Sequence, residues 1–240
     1  VDQPLDRQLL ERDPDRIAGM FSQVAPRYDL LNRLLSGGLD QAWRRTAVRM
    51  ARPEGARRIL DLATGTGDLA LEFARADGFD GEVVGIDLSE EMVQRAQRKA
   101  MANRLDGRAR FRTGDALRVP EPDASFDVLS VGFGVRNFVD PERGLREALR
   151  LLAPGGRLVV LEFFRRRESA LLRAYLDHAL PRIGRWISGS PSAYSYLRHS
   201  TKGFLSTEEF ESLLRSVGFA SVDTRRLTFG VAHCVVAAKP

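Results

Sequence analysis

The sequence predicts an α/β fold, with a mostly parallel sheet covered by helices on both faces. Three observations carry this. Short apolar runs alternate with helical stretches from residue 57 onward, the rhythm of strands joined by crossover helices. The first of these runs ends in a glycine turn, Gly65-Thr66-Gly67, and helix-forming residues follow at once. The last two runs are joined through Gly230, which predicts an antiparallel hairpin at the end of the chain.

Taken in order, residues 5–52 read as helical. Met20, Phe21, Val24 and Ala25 fall at helical spacing, Pro26 interrupts, and Leu30, Leu31, Leu34 and Leu35 continue an apolar stripe up to Gly37-Gly38. A further helix is expected from Asp40 to Met50. Five strands follow, at Ile59–Ala63, Val83–Leu88, Ala109–Thr113, Phe126–Phe133 and Leu158–Phe163. Helices are expected between them at Leu69–Arg75, Glu90–Asn103 and Glu142–Leu152. Ser89 reads as the N-cap of the second, and Asp140-Pro141 as a capping Asp with proline in the first turn of the third. Pro154-Gly155-Gly156 reads as a stop before the fifth strand. Ser206-Thr207-Glu208-Glu209 reads as a capping box, opening a helix that ends at Gly218. The strands Val222–Thr228 and Val231–Ala238 bring the total to seven. One domain is expected over residues 1–240: an N-terminal helical cap at 1–52, a cofactor-binding core at 57–163, an inserted cap at 164–205, and a C-terminal helix and hairpin at 206–240.

Composition bounds the function. The 240 residues are 43% hydrophobic and 29% charged, ordinary values for a globular protein. No apolar run approaches the roughly 20 residues of a membrane span, and the polar start lacks a signal region. A cytoplasmic protein is therefore expected. Of 37 basic residues all but Lys99, Lys202 and Lys239 are arginines, and the net charge is +5. No aromatic–basic interleaving accompanies that charge, so no nucleic-acid partner is expected. Arg165-Arg166-Arg167 reads as a solvated turn, with contact to acidic headgroups as the alternative. Cys234, the single cysteine, sits in an apolar run and reads as a buried structural thiol; with three scattered histidines, no metal site is expected.

The glycine turn predicts a nucleoside-type cofactor, because Gly65 and Gly67 let the backbone approach a ligand closely. Asp87, at the end of the second strand, has the position from which a carboxylate accepts hydrogen bonds from a ribose diol. These features fit a nicotinamide dinucleotide as well as they fit another nucleoside. Asp61, in the pattern D-x-A-x-G-x-G, suits a positively charged ligand better than a pyrophosphate, although it could equally serve as an acceptor for the turn's own groups. Gly114-Asp115-Ala116 ends the third strand, where Asp115 could accept from an adenine amino group.

The order of these features resembles S-adenosylmethionine-dependent methyltransferases of the Rossmann-like class I. Two longer motifs sharpen the resemblance. Phe21-Ser22-Gln23-Val24-Ala25-Pro26-Arg27-Tyr28-Asp29-Leu30-Leu31-Asn32 and Phe133-Gly134-Val135-Arg136-Asn137 are similar to signatures of the UbiE/MenG family of quinone-biosynthesis C-methyltransferases. Arg157–Phe163, Pro181–Gly184 and Tyr194–Leu197 extend the match, which covers about residues 18–240. The sequence departs from the family pattern at Ala63 or Thr64, where many members have Gly, at Gly132, where many have Ser, and at Asp115, where many have Asn.

The resemblance implies methylation of a ring carbon of a prenylated hydroquinone, either demethylmenaquinol or a ubiquinol precursor. It implies S-adenosylmethionine as cofactor, with Thr66, Asp87, Asp115 and Ala116 as contacts beside Asp61, Gly65 and Gly67. Arg136 is the candidate to stabilise the phenolate, with a structural ion pair as its alternative role; Asn137 could orient the same oxygen or cap the turn. Tyr28, Tyr196 and His199 are candidates for the quinol pocket, His199 also as a base. Tyr194 could join them, or the tyrosines could simply pack. An isoprenoid tail implies contact with a membrane or a lipid-binding partner, through the N-terminal helices or through Leu171–Ile187 with Tyr175 and Trp186, unless these stripes are core. A homodimer is compatible with all of this. The rival readings are a nicotinamide oxidoreductase, a nucleic-acid methyltransferase and a non-catalytic scaffold.

Overall fold

The computed structural model describes residues 14–165 and 200–240. Seven strands form one sheet in the order β3-β2-β1-β4-β5-β7-β6. Strands β1 (Arg58–Leu62), β2 (Glu82–Asp87), β3 (Ala109–Thr113), β4 (Phe126–Gly132) and β5 (Leu152–Glu162) are mutually parallel. The last two, β6 (Ser221–Leu227) and β7 (Ala232–Ala238), form the expected hairpin, and β7 pairs antiparallel with β5.

Alternation along the strands sends side chains into two cores, one on each face. Ile59, Val83, Val128 and Val159 pack beneath helices α3 (Leu39–Ala51), α4 (Asp68–Ala74) and α5 (Glu90–Ala102). Leu60, Leu62, Val84, Leu129 and Val160 face α6 (Pro141–Leu151) and α7 (Thr207–Val217). A strand buried on both faces has no polar side to show. That explains why the central strands read as continuous apolar runs.

The helix starts follow the cap chemistry. Ser89 accepts from the Met92 N–H, Asp140 from the Arg143 N–H, and Ser206 with Glu209 completes the reciprocal capping box. At the N-terminus, α1 (Pro14–Val24) and α2 (Tyr28–Leu35) are separated by a short 3-10 turn at Ala25–Arg27, where Pro26 falls. Gly37 and Gly38, both at positive φ, join α2 to α3.

One expectation is corrected. Pro154-Gly155-Gly156 does not precede the fifth strand but lies inside it. Phe126 pairs with Leu152 and Val128 with Arg157, so β5 carries an irregular bulge between these points. Gly155 takes φ +72, and a Cβ on Gly156 would lie 2.8 Å from the Ala153 carbonyl oxygen.

Gly67 fixes how closely α4 and its turn approach the sheet. It has φ +80, and a Cβ there would sit 2.9 Å from both Ala96 Cβ and the Phe111 ring. Gly37 has φ +60 with nothing within 4 Å of such a Cβ. Gly67→Ala should therefore cost more than about 2 kcal/mol in urea denaturation, combining backbone strain with overpacking. Gly37→Ala should cost only about 1 kcal/mol, the backbone part alone. Equal costs would contradict this assignment.

Candidate active site

The C-terminal ends of β1, β2 and β4 surround a cavity of about 280 Å³, the edge of a parallel sheet where α/β folds bind ligands. Its walls include Gly65, Asp87, Leu88, Met92, Asp115, Ala116, Phe133, Asn137 and Phe138, with Ile17, Phe21 and Tyr28 from the N-terminal helices.

The turn after β1 forms one wall. The backbone reverses at Ala63, which takes φ +51, a conformation that glycine adopts without strain. The Thr64 N–H then donates to the Ile86 carbonyl at 2.9 Å. The Gly65 N–H donates to Asp87 Oδ2 at 2.7 Å. A Cβ on Gly65 would meet only the Tyr28 ring, at 3.9 Å, so it would project into the space between turn and tyrosine.

Asp61 lies beneath the turn and does not line the cavity. It is 1% exposed. Its oxygens accept hydrogen bonds from Thr64 Oγ1 and Ser130 Oγ, both at 2.6 Å. Burial outweighs these bonds and pushes its pKa up to about 6. These contacts are those of the other expected role, an acceptor that fastens the turn to β4. Thr66 also points away from the cavity. Its hydroxyl donates to Asp29 on α2 and lies 3.3 Å from Lys99 Nζ on α5. Gly67 packs on Ala96 and Phe111 rather than lining the cavity.

Asp87, Asp115 and Ala116 stand where the sequence suggested. Asp87 accepts the Gly65 N–H through Oδ2 and the Ser89 N–H, at 2.9 Å, through Oδ1. Burial raises its pKa, and those N–H groups oppose the rise. Asp115 Oδ1 accepts from the Leu117 N–H at 2.9 Å, which orients the carboxylate at the cavity wall. Tyr28 reaches the cavity from α2, with its ring edge-on to Phe21 at 6.0 Å. Burial raises the pKa of its phenol, and a hydrogen bond with Asn32 opposes the rise.

The loop after β4 separates the two candidate catalytic residues. Asn137 lines the cavity. Arg136 does not: it is 6% exposed and pairs with the fully buried Glu162 at 2.6 Å. The same nitrogen donates to the Phe133 carbonyl at 2.6 Å, and the Arg136 N–H donates to Glu162 Oε2 at 3.3 Å. Of the two roles expected for Arg136, these contacts are those of the structural ion pair, which braces the Phe133–Asn137 loop. The reason is electrostatic, since a carboxylate buried at the end of β5 requires a cation.

Tyr194, Tyr196, His199, Arg166, Arg167 and residues 171–187 lie outside the described residues. Sequence reasoning missed Leu88, Met92, Phe138, Arg143 and Glu162. The available signals were an acidic residue closing an apolar run at Glu162 and the apolar positions just after β2 and β4. Phe133, at φ +59, packs at 4.6 Å on Phe163, and Trp43 packs on both rings at about 6 Å.

The ubiE/COQ5 methyltransferase family matches this chain over residues 10–239. A demethylmenaquinone methyltransferase of Thermus thermophilus is 50% identical over 225 residues, covering 92% of this chain and 100% of the relative. One of Deinococcus radiodurans is 48% identical over 216 residues, covering 89% and 88%. A ubiquinone/menaquinone biosynthesis C-methyltransferase UbiE of Geobacter sulfurreducens is 44% identical over 234 residues, covering 96% and 91%. Among solved structures, the cyclase SpnF superposes with a TM-score of 0.70 at 20% identity, covering 93% of this chain and 96% of that one. A SAM-dependent methyltransferase from Aquifex aeolicus gives 0.64 at 18% identity, covering 88% and 98%. Both show the fold alone.

Two measurements test these assignments. The folded protein holds the Asp61 proton more tightly than an unfolded chain with a pKa of 3.8, so protonation favours folding. That contribution is complete below the unfolded pKa and is lost as pH rises through about 6. Relative to Asp61→Asn, the wild type should lose stability in thermal melts between about pH 4 and pH 7; a pH-independent difference would rule this out. Arg136→Met should destabilise by about 3–5 kcal/mol by stranding Glu162, and Arg136→Met/Glu162→Met should recover most of that. An Arg136→Met protein with wild-type stability and lost turnover would return the guanidinium to the substrate.

Proposed function

The chain belongs to the ubiE/COQ5 methyltransferase family, and from that premise we propose that it carries out the demethylmenaquinol-to-menaquinol step, with the ubiquinol-precursor methylation as the second reading. It is an S-adenosylmethionine-dependent C-methyltransferase of menaquinone or ubiquinone biosynthesis. One observation carries the choice between the two steps. Two demethylmenaquinone methyltransferases are 50% and 48% identical to the chain, over 100% and 88% of their own lengths.

The residues present fit the methyl donor. Gly65 leaves a cradle that a Cβ would occupy, Asp87 offers an acceptor at a strand end, and Asp115 offers a second further along the cavity. S-adenosylmethionine, when bound, supplies the activated methyl. Asp87 would take the ribose hydroxyls, while its bonds to the Gly65 and Ser89 N–H groups keep it aimed. Asp115 would accept from the adenine amino group, and Ala116, Leu88 and Met92 would flank the ring. Tyr28 would close the other side.

On the acceptor side, a hydroquinone hydroxyl loses its proton and the ortho carbon becomes nucleophilic. The methyl would then pass to that carbon, with S-adenosylhomocysteine as the leaving group and the ring proton released to solvent. Alignment can supply much of the rate. Phe133, backed by Phe163 and Trp43, offers the ring an aromatic wall. Asn137 on the same wall is the candidate to hold the hydroxyl oxygen, and Arg136 holds that loop through Glu162. Among the described residues no helix is long and apolar enough to cross a membrane, so contact with the lipid substrate would be peripheral.

Purified protein given methyl-labelled S-adenosylmethionine should label demethylmenaquinol in preference to the demethylated ubiquinol precursor. Preference for the precursor would select the second reading, and label in neither would overturn both. Asp87→Asn should raise the Kd for S-adenosylhomocysteine by at least about tenfold in calorimetry, through loss of a charge-assisted acceptor. An unchanged Kd would remove Asp87 from the cofactor site.

A further inference from the structure

The N-terminal signature holds two polar groups that the chemistry above does not use, Ser22 and Asp29. Both reach across to the body of the fold. Ser22 Oγ donates to Glu91 Oε2 at 2.6 Å and lies 2.8 Å from Ser89 Oγ, at the start of α5. Asp29 Oδ2 pairs with Lys99 Nζ at 2.9 Å, and Asp29 Oδ1 accepts from the Thr66 hydroxyl inside the glycine turn. The same ammonium also pairs with Asp68, the first residue of α4, and Arg44 approaches Asp68 at 3.7 Å.

We propose that Lys99 is a positioning residue for the methyl donor, latching residues 14–35 through Asp29 as a lid over the cofactor cavity, with Gly37-Gly38 as its hinge. The inference rests on assigning that cavity to S-adenosylmethionine. Three observations support it. First, the segment supplies Ile17, Phe21 and Tyr28 to the cavity wall, so its position decides whether the cofactor is enclosed. Second, its Ile17 and Met20, with Phe21, form a small cluster apart from the two large cores, and Ala25 and Leu31, also buried, belong to neither large core. Ser22 and Asp29 bond the segment to the start of α5, to Lys99 and to the glycine turn, and partly exposed polar bonds break at low cost. Third, the connection is two glycines, Gly37 and Gly38, at φ +60 and +80 with nothing within 4 Å of a built Cβ. A change of angle there meets no side chain and breaks the bonds of their N–H groups to the Leu34 and Arg33 carbonyls.

Electrostatics give Lys99 its leverage. One ammonium bridges Asp29 on the lid and Asp68 on the body. Without it two carboxylates face each other at close range, and like charges there repel. The Lys99, Asp29 and Asp68 side chains are 27%, 39% and 29% exposed, so salt screens the latch only in part. The same geometry explains the Tyr-Asp pair of the signature: Asp29 is held so that Tyr28, one residue before it, faces Gly65.

The test uses the full chain. Lys99→Met should raise the Kd for S-adenosylhomocysteine by about tenfold through faster dissociation, and the KM for S-adenosylmethionine in parallel. At saturating cofactor, kcat should change by less than about twofold. Trypsin should cut the variant faster at Arg27 and Arg33, with cofactor restoring protection. Asp29→Asn should act in the same direction. The exchange Lys99→Asp/Asp29→Lys should recover most of the affinity that Lys99→Asp alone loses. Unchanged dissociation and cleavage rates in Lys99→Met and Asp29→Asn would overturn the latch, as would an exchange no better than Lys99→Asp alone. Trypsin cleavage of cofactor-free protein reads the latch even where the wild type binds no S-adenosylhomocysteine, a result that would instead overturn the cofactor assignment.

Discussion

Two backbone N–H groups converge on the carboxylate of Asp87, and the shape of the cavity follows from that convergence. The Gly65 N–H comes from the turn after β1, and the Ser89 N–H from the start of the helix after β2. One side chain thus joins two strand-to-helix connections at the edge where they would otherwise diverge. Ordering the turn costs conformational entropy, and bonds to a buried carboxylate repay it better than bonds between neutral groups. Asp61 secures the turn from beneath through Thr64 and Ser130. The two aspartates divide the labour: one fastens the turn to the sheet, and the other fastens it while lining the cavity.

Much of the frame was legible in the sequence because its signals are local. The apolar runs of the central strands, the caps at Ser89, Asp140 and Ser206, and the helix end at Gly218 each depend on residues a few positions apart. Asp87, Asp115 and Ala116 were legible for a related reason, since strand ends in a parallel sheet share one edge. Where the sequence fell short, the partner lay far along the chain. For Arg136 the sequence leaves two roles open, and the partner that makes the ion pair, Glu162, lies 26 residues on. Thr66, expected as a cofactor contact, also donates its hydroxyl to Asp29, 37 residues back, a partner the local motif does not show. The bulge at Pro154-Gly155-Gly156 was hidden differently: those residues stop a strand in most settings, and only the pairing of β5 with β4 shows that the strand continues through them.

These corrections change how the family signatures are understood. The motif Phe133-Gly134-Val135-Arg136-Asn137 is a braced loop more than a row of reactive groups. Its arginine satisfies a buried carboxylate, its phenylalanine and asparagine face the cavity, and Gly134 is required because a Cβ there would lie 2.7 Å from Ala63 Cβ. The N-terminal motif is likewise a closure, in which Tyr28 faces the turn and Asp29 and Ser22 hold it there. Both signatures act on the same space from opposite sides, which gives a physical reason for their occurring together in one chain.

On the proposed function, the space bounded by Gly65, Asp87, Asp115 and Tyr28 holds the methyl donor. A crystal structure of the protein with S-adenosylhomocysteine tests this most directly. That structure should show ribose hydroxyls on Asp87, adenine flanked by Ala116, Leu88 and Met92 with its amino group toward Asp115, and Tyr28 closed over the turn. Nucleoside density elsewhere on the molecule, or within the cavity but away from Asp87, would contradict it.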